Sequence, residues 1–203
     1  MRPAAAVCAV LVMLASVQTG PAAQAEKEPP RFNVSAAVGV LRPSDESFRA
    51  LYGGSHVPVT VQLECRLWPR LALFGGGQFL GADGRTIAEG AQVGDESFPL
   101  RFTTSSIRVG ALVLMPKRRW TVFAGGGASY STYHEEWTGT QISVSGHTYG
   151  FVAQAGARYV LTGPILLSGG VEYTYGPANS DASPGGTIDL GGLGVSLGVG
   201  IRF

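Results

Sequence analysis

Charge, cysteine and long apolar runs are all scarce in this sequence. Charged residues make up 14% of the 203 residues and the formal net charge is +1, so the chain lacks the basic excess typical of a nucleic-acid-binding protein. Cys8 and Cys65 are its two cysteines, and loss of an N-terminal leader would leave Cys65 without an internal disulfide partner. After residue 25 no apolar run reaches the ~20 residues that a membrane-spanning helix needs.

The N-terminus has the pattern of a secretory signal peptide. Arg2 provides a basic start, residues 4–17 are apolar and contain no acid, and residues 23–25 read Ala-Gln-Ala, the small-x-small pattern that precedes a cleavage site. We therefore predict a cleaved signal peptide at 1–25 and a mature domain at 26–203. A retained N-terminal anchor is the alternative, and the apolar run is too short to favour it.

Glycine and apolar residues are abundant. The chain contains 30 glycines and 45% hydrophobic residues, and neither is arranged with helical periodicity. A chain this apolar without helical spans fits a soluble β-sandwich or a transmembrane β-barrel.

Alternation of apolar with small or polar residues is the dominant signal. It recurs in eight segments, at 32–41, 56–67, 70–81, 101–115, 119–133, 147–161, 164–175 and 187–203. In the last segment every second residue from Leu193 to Phe203 is apolar, and glycine, serine or arginine fills the positions between. A greasy face opposite a small or polar face is what a barrel wall in lipid requires. We predict an all-β fold, an eight-stranded antiparallel up-and-down transmembrane β-barrel.

Connection lengths support the barrel. Tight turns are expected near 68–70, 116–118 and 162–164. Long loops rich in Gly, Ser, Asp and Pro are expected at 42–55, 82–100, 134–146 and 176–186. Outer-membrane barrels place short turns in the periplasm and long loops outside the cell.

Aromatic residues sort by strand end. One group falls near the short turns and the other near the long loops, as two interfacial girdles would. The first group is Trp120, Tyr159 and Phe203, with Trp68 in a turn, and the second is Phe79, Tyr130, Phe151, Tyr173 and Tyr175.

The opposite face predicts a polar lumen. An eight-stranded barrel is only wide enough for its own side chains, so charged groups inside must pair. We expect a network of Glu64, Arg66, Arg108, Arg158 and Glu172, accompanied by Gln62, Gln78, Gln154 and Arg202, in which Glu172 faces Arg158. A polar filling of the lumen is favoured over a gated path for small solutes.

Candidate catalytic and metal-binding residues are few. The histidines are His56, His134 and His147, of which His134 precedes two glutamates and His147 lies close to Ser145. Neither arrangement gives the signature of a lipid A deacylase, and no spacing fits a metal site. We expect no enzymatic activity, no catalytic residue, no metal and no cofactor.

The assembled pattern resembles the small outer-membrane proteins of the OmpA-like or OmpX-like β-barrel domain. Residues 194–203, 123–130 and 157–159 carry the resemblance. It implies an assembly signal in Phe203, Ile201 and Val199, read by the outer-membrane barrel assembly machinery after delivery by periplasmic chaperones. It also implies residence in a Gram-negative outer membrane, with the lipid bilayer and lipopolysaccharide as surroundings. Because the sequence stops at Phe203, we expect no wall-binding domain after the barrel.

Together these features predict a non-enzymatic integral outer-membrane protein with a side-chain-filled lumen and four long extracellular loops. A loop-mediated adhesin or resistance factor and a narrow solute channel are the alternatives, and a lipid A-modifying enzyme ranks last. The sequence identifies no ligand for the loops.

Overall fold

The computed structural model describes residues 30–87, 97–137, 143–179 and 187–203. The predicted signal peptide, 1–25, lies outside the described residues, so its cleavage stays a prediction. Within the described residues no helix is long and apolar enough to cross a membrane.

Strands dominate the described chain. The eight long strands are β1 (Phe32–Pro43), β2 (Val59–Trp68), β3 (Leu71–Ile87), β4 (Ser97–Lys117), β5 (Trp120–Trp137), β6 (Ser143–Thr162), β7 (Ile165–Tyr175) and β10 (Gly192–Arg202). Two short strands, β8 (Pro177–Asn179) and β9 (Thr187–Asp189), pair with each other, and one helix, α1 (Glu46–Tyr52), follows β1.

The eight long strands close into an antiparallel barrel, which confirms the predicted fold class. Each strand pairs with its sequence neighbours, and β10 returns to β1 with Asn33 opposite Arg202. Closure leaves no free strand edge, which lipid would not tolerate. Three tight turns and both barrel termini share one end, called here the short-turn end; the other is the long-loop end.

Alternation places apolar side chains outside. Ile107, Val113 and Leu197 point outward and are half or more exposed to the surroundings, whereas Gln78, Arg108 and Arg158 point inward and are buried. The outer surface is therefore suited to acyl chains, and the inner surface to polar packing.

Four strands continue far beyond the rest of the wall at the long-loop end. The β2–β3 pairing stops at Phe79, yet residues 80–87 of β3 go on pairing with β4; on the far side the β6–β7 pairing stops at Phe151, and residues 143–150 of β6 pair with β5. At ~3.3 Å per residue this extension, the wall ridge, adds about 26 Å along each strand. Much of the loops expected at 82–100 and 134–146 is therefore strand.

The wall ridge has the opposite polarity to the barrel below it. Ala82, Leu100 and Phe102 point inward and are buried, while Thr103 and Thr132 point outward and are exposed. An apolar inner face and a polar outer face are what a sheet has where water and not lipid covers its outside. The sequence pattern that predicts the strands requires an apolar outer face. The predicted strands therefore end where the polarity inverts.

Two further expectations need correction. The loop expected at 42–55 contains the helix α1. Asp45 caps the helix by accepting a hydrogen bond from the Phe48 N–H (2.9 Å), and Gly53 ends it at φ 94°. The eighth strand, expected at 187–203, is broken because the Asp189 carboxylate accepts from the N–H groups of Gly176 (2.9 Å) and Gly191 (2.8 Å), which turns the chain.

Candidate functional site

The centre of the lumen is spanned by an ion pair. The Arg108 guanidinium on β4 donates through Nη1 to Oε2 of Glu172 on β7 at 2.6 Å, and Gln78 Nε2 donates to the other carboxylate oxygen at 3.3 Å. The Arg108 and Glu172 side chains are 4% and 17% exposed. Since β4 and β7 are not neighbours in the sheet, this pair joins opposite walls of the barrel.

A second ion pair lies nearer the short-turn end. The Arg158 guanidinium on β6 donates to the Glu64 carboxylate on β2, which also accepts from Gln62 Nε2 at 2.8 Å. The guanidinium carbon of Arg158 also lies 4.3 Å from the centre of the Phe123 ring, in cation–π geometry.

The expected contact between Glu172 and Arg158 is wrong. In the β6–β7 register Glu172 is opposite Gln154, and Arg158 is opposite Ser168. The two residues are thus four positions apart along the wall, and each pairs instead with a partner across the lumen. The structure does bring Glu64, Arg108, Arg158 and Glu172 together as buried pairs.

The remaining expected lumen cations lie near the barrel end. Arg66 is half-buried and makes no ion pair with the described residues. Arg202 donates from Nε and Nη2 to the Gly163 carbonyl in the β6–β7 turn, at 3.4 and 3.2 Å. The network expected from sequence is therefore two ion pairs with Arg66 beside them.

Apolar side chains fill the lumen beside the second ion pair. They come from β3, β4, β5 and β6, and we call them the apolar plug: Ala72, Phe74, Leu112, Leu114, Phe123 and Val152. Leu112 and Leu114 are almost completely buried. Packing of this kind excludes water from the space between these side chains.

Two cavities with both polar and apolar lining lie beside these side chains. A cavity of about 70 Å³ is lined by residues that include Gln62, Glu64, Gln154, Arg158 and Glu172. A second, of about 20 Å³, lies on the Arg108 side. A polar cavity needs about 10–15 Å³ to hold one water molecule, so these two have room for a few water molecules.

The long-loop end is covered by an apolar cap, defined as Phe48, Tyr52, Ala82, Leu100 and Phe102. The Phe48 and Tyr52 rings of α1 lie 5.0 and 5.3 Å from the Phe102 ring of β4. Tyr133, Trp137, Ile188 and Leu190 pack around it. The loop after β1 thus folds against the inner face of the wall ridge.

Burial in the cap perturbs two titratable groups outside the spanning strands. Burial, with a smaller effect of the Glu135 carboxylate, raises the pKa of Tyr52. Burial lowers the pKa of His56, and a hydrogen bond to the Gly53 backbone partly opposes that change. Both residues are therefore uncharged at neutral pH.

The cap is what sequence reasoning missed. The available signals were an Asp45 N-cap, a Gly53 stop and the four-residue spacing of Phe48 and Tyr52, which together describe one short amphipathic helix.

Outward-facing aromatics occupy both ends of the barrel. At the short-turn end Trp120 packs on Tyr159 with 4.8 Å between ring centres, and Phe203 stacks on Phe32 at 5.9 Å. At the other end Phe151 lies 6.0 Å from Tyr173 and 5.4 Å from Tyr175. Phe79, Tyr130 and Tyr149 also lie at that end, and sequence reasoning omitted Tyr149 although it is 73% exposed.

The proposed assembly residues share the outer face of β10 and its end. Val199 and Phe203 are exposed and Ile201 is partly so, and Phe203 closes the barrel through backbone hydrogen bonds with Phe32 of 2.9 and 3.0 Å. Recognition by an assembly machinery stays a prediction.

The histidines are dispersed. His134 Nδ1 and Ser145 Oγ are 2.7 Å apart on the outer face of the wall ridge, so Ser145 pairs with His134 and not with His147. The His147 ring lies 5.9 Å from Tyr130 and 6.4 Å from Tyr149. Nowhere in the described ranges do three His, Cys, Asp or Glu side chains converge as metal ligands would.

A closed eight-stranded wall with an apolar exterior, aromatic girdles and a charged, packed lumen defines a small transmembrane β-barrel. The chain belongs to the outer membrane protein β-barrel domain family, whose profile matches residues 7–203. The resemblance to small outer-membrane barrels is thereby confirmed. Among curated proteins none matches the sequence significantly.

Solved structures share this fold at low identity. Neisserial surface protein A is 16% identical, with 85% of this chain and 97% of that chain covered and a TM-score of 0.60. OprG of Pseudomonas aeruginosa is 12% identical, with 87% and 97% covered and a TM-score of 0.61. Ail of Yersinia pestis, the attachment invasion locus protein, in complex with the heparin analogue sucrose octasulfate, is 13% identical, with 87% and 100% covered and a TM-score of 0.57.

Proposed function

We propose that the protein is a non-enzymatic, non-conducting barrel of the Gram-negative outer membrane that acts at its long-loop end. The short turns face the periplasm, and the wall ridge with its cap stands outside the cell, above a girdle that contacts lipopolysaccharide. The family and the girdles support this location and orientation.

The observation that carries the proposal is the filling of the lumen. The apolar plug and the Arg158–Glu64 pair occupy one level, the Arg108–Glu172 pair the next, and the apolar cap covers the long-loop end. An ion crossing this stack would have to separate buried ion pairs and pass between apolar side chains, and both steps are costly.

Planar-bilayer recording tests the closed lumen. The wild-type barrel should give no current steps above background. The double variant Phe74→Ala/Phe123→Ala removes two plug rings and should open a measurable conductance. Its matched control, Phe79→Ala/Phe151→Ala, removes two rings from the lipid face and should stay silent.

A narrow solute channel is the competing proposal, and the same recordings address it. A steady wild-type conductance that Glu172→Ala changes in size or ion selectivity would establish the channel and end the closed-lumen proposal. Loss of stability in Glu172→Ala without new current would support the ion pair as a structural filling.

Attachment is a second candidate, favoured by the wall ridge. An extension of about 26 Å beyond the spanning strands is unnecessary for membrane insertion, for which ~9–11 residues per strand suffice. It is built from four paired strands and packs on α1, so it forms a continuous outer surface. Ail, the attachment invasion locus protein of Yersinia pestis, shares the fold.

The charge of the long-loop end indicates what kind of partner would bind there. The described residues there include six acids, Asp45, Glu46, Asp83, Glu135, Glu136 and Asp189, and four arginines, Arg42, Arg49, Arg85 and Arg101. A basic surface would complement this excess better than a sulfated glycan.

Binding to immobilised polylysine and to heparin separates the two partner types. Barrels in nanodiscs should bind polylysine at low salt, and Glu46→Gln/Glu136→Gln should weaken that binding. The control Arg85→Gln/Arg101→Gln should strengthen it. Binding to heparin alone would contradict the expected basic partner.

Lipid A modification is the enzymatic alternative. His134 and Ser145 are hydrogen-bonded, but both are exposed on the polar outer face of the wall ridge, above the apolar belt. Incubation with lipopolysaccharide should leave its mass unchanged. A loss of one acyl chain that Ser145→Ala abolishes would establish an acyl hydrolase in place of the non-enzymatic barrel.

A further inference from the structure

The short-turn end of the barrel carries a cluster of cations. Arg70 lies in the β2–β3 turn, Lys117, Arg118 and Arg119 form the β4–β5 connection, and Arg202 ends β10. We call these five residues the basic rim. Four are exposed, and Arg202 is partly exposed.

Acidic side chains do not balance the rim among the described residues. The nearest acid by position along a strand is Glu64, which points into the lumen and is already paired with Arg158. The described acids other than Glu64 and Glu172 all belong to the long-loop end. Among the described side chains the barrel is thus polarised, with a positive end and an end of mixed, mainly negative charge.

The rim is level with the edge of the apolar wall. Trp68 and Trp120, 61% and 52% exposed, flank the two turns that hold the rim cations. Tryptophan on a barrel exterior marks the boundary between acyl chains and headgroups. Side chains one or two residues beyond these rings therefore lie at the depth of lipid phosphates.

The β4–β5 turn is staggered relative to the β2–β3 turn along the strand direction, as the tilted strands of a closed barrel require. The Arg70 carbonyl accepts from the Leu114 N–H at 2.8 Å, and β4 runs on for three more residues before Lys117 pairs with Trp120. That places Lys117, Arg118 and Arg119 about 10 Å beyond the β2–β3 turn along the strand.

We propose that the basic rim binds the phosphates of anionic phospholipids, of the phosphatidylglycerol type, in the leaflet around the short-turn end. Arginine donates paired hydrogen bonds to phosphate oxygens, and cations at a membrane surface attract anionic lipid. Arg119 adjoins Trp120, whose ring packs on Tyr159 at the lipid-facing wall, so a bound headgroup would have its acyl chains against that wall. This geometry favours a lipid over a soluble polyanion. The inference needs the membrane location of the barrel but not its closed lumen.

Lipid retention measured by native mass spectrometry tests the proposal. The full mature barrel is released from nanodiscs that contain equal amounts of phosphatidylglycerol and phosphatidylcholine. Wild type should retain phosphatidylglycerol preferentially. Lys117→Gln/Arg119→Gln should reduce that preference by about fivefold for each cation removed. Arg118 is left unchanged because its φ of 44° makes substitution there a backbone change as well.

The matched control is Arg85→Gln/Arg101→Gln, which removes two exposed cations from the opposite end. It should retain phosphatidylglycerol as wild type does. Heat-dependent mobility in gels verifies that each variant is folded, and Arg70→Gln replaces the double variant if that one does not fold.

Three results would overturn the proposal. These are equal retention of the two lipids by wild type, equal loss of preference in the rim and control variants, and preferential binding of soluble polyphosphate by the rim without any lipid preference. A conducting barrel that still retains phosphatidylglycerol would refute the closed lumen and leave the lipid site standing.

Discussion

Arg108 and Glu172 meet across the lumen with 2.6 Å between Nη1 and Oε2, although β4 and β7 are separated by two strands in the sheet. The pair is buried on the arginine side and shares its carboxylate with Gln78. Removing one partner would leave the other charge buried without compensation, which costs more than the pair itself contributes.

Glu172→Gln should therefore destabilise the barrel. The amide keeps the shape of the carboxylate but leaves Arg108 unpaired, and we expect a loss of about 3 kcal/mol in the free energy of unfolding. Urea titration in detergent micelles, followed by tryptophan fluorescence, measures it. The control is Asp83→Asn, whose partner Arg101 is 3.6 Å away with both side chains exposed; it should cost less than about 1 kcal/mol. Equal losses in the two variants would contradict a structural role for the lumen pair.

The sequence predicts which residues of each strand point into the lumen, but it does not predict which of them form ion pairs there. The period of two fixes which residues point inward, so Glu64, Arg108, Arg158 and Glu172 were identifiable. Their pairing depends on the stagger between strands and on the length of arginine, which spans the barrel. Neighbouring-strand reasoning therefore joined Glu172 to Arg158, whereas each has its partner on an opposite wall.

The wall ridge and α1 escaped prediction for a different reason. In both, the apolar face turns inward, so the barrel pattern no longer applies. The rings of Phe102 and Tyr52 pack against each other and do not form part of a lipid-facing surface. A pattern that assumes an apolar outer face along the whole chain therefore predicts strands β3 to β6 that are too short. It also predicts no helix in the loop after β1.

Truncation of the apolar plug should also destabilise the barrel. Leu112→Ala removes a side chain with no exposed surface and leaves a cavity between packed rings, at a cost of about 2–5 kcal/mol. Val113→Ala, its neighbour on the lipid face, leaves a gap that acyl chains refill and should cost clearly less. The same urea titration compares them, and a greater loss for Val113→Ala would argue against a packed lumen.

The N-cap of α1 offers a local test of the apolar cap. Asp45→Ala removes the acceptor for the Phe48 N–H and should weaken the docked helix by about 1 kcal/mol. Hydrogen exchange of amides 48–53 should accelerate severalfold while exchange in the barrel strands stays unchanged. Asp45→Asn retains a capping oxygen and should exchange nearly as wild type. Acceleration in Asp45→Asn equal to that in Asp45→Ala would show that the cap hydrogen bond is not what holds the helix.

The cap should loosen in mild acid. Burial lowers the pKa of His56 in the docked loop below its ordinary value of 6.5, so the open loop binds a proton first as pH falls. The free energy that docks the loop is therefore fully available above that ordinary value, and part of it is lost as the pH falls below it. Hydrogen exchange of α1, corrected for the intrinsic pH dependence of exchange, should show more opening at pH 5.5 than at pH 7.5. His56→Gln should remove this dependence, and a pH response that persists in the variant would assign it to another group.

Gly127 on β5 occupies a position where the barrel wall leaves no room for a side chain. Its inward-facing side lies so close to β4 that an added Cβ would overlap the Val109 carbonyl oxygen and crowd Gly110. Gly127→Ala should therefore force the strands apart, costing about 1–3 kcal/mol and lowering the folded yield on refolding into detergent. Gly81, on the outer face of β3, has no heavy atom within 4 Å of an added Cβ, so Gly81→Ala should refold as wild type. If Gly127→Ala refolds equally well, the close approach of β4 and β5 is not required for closure.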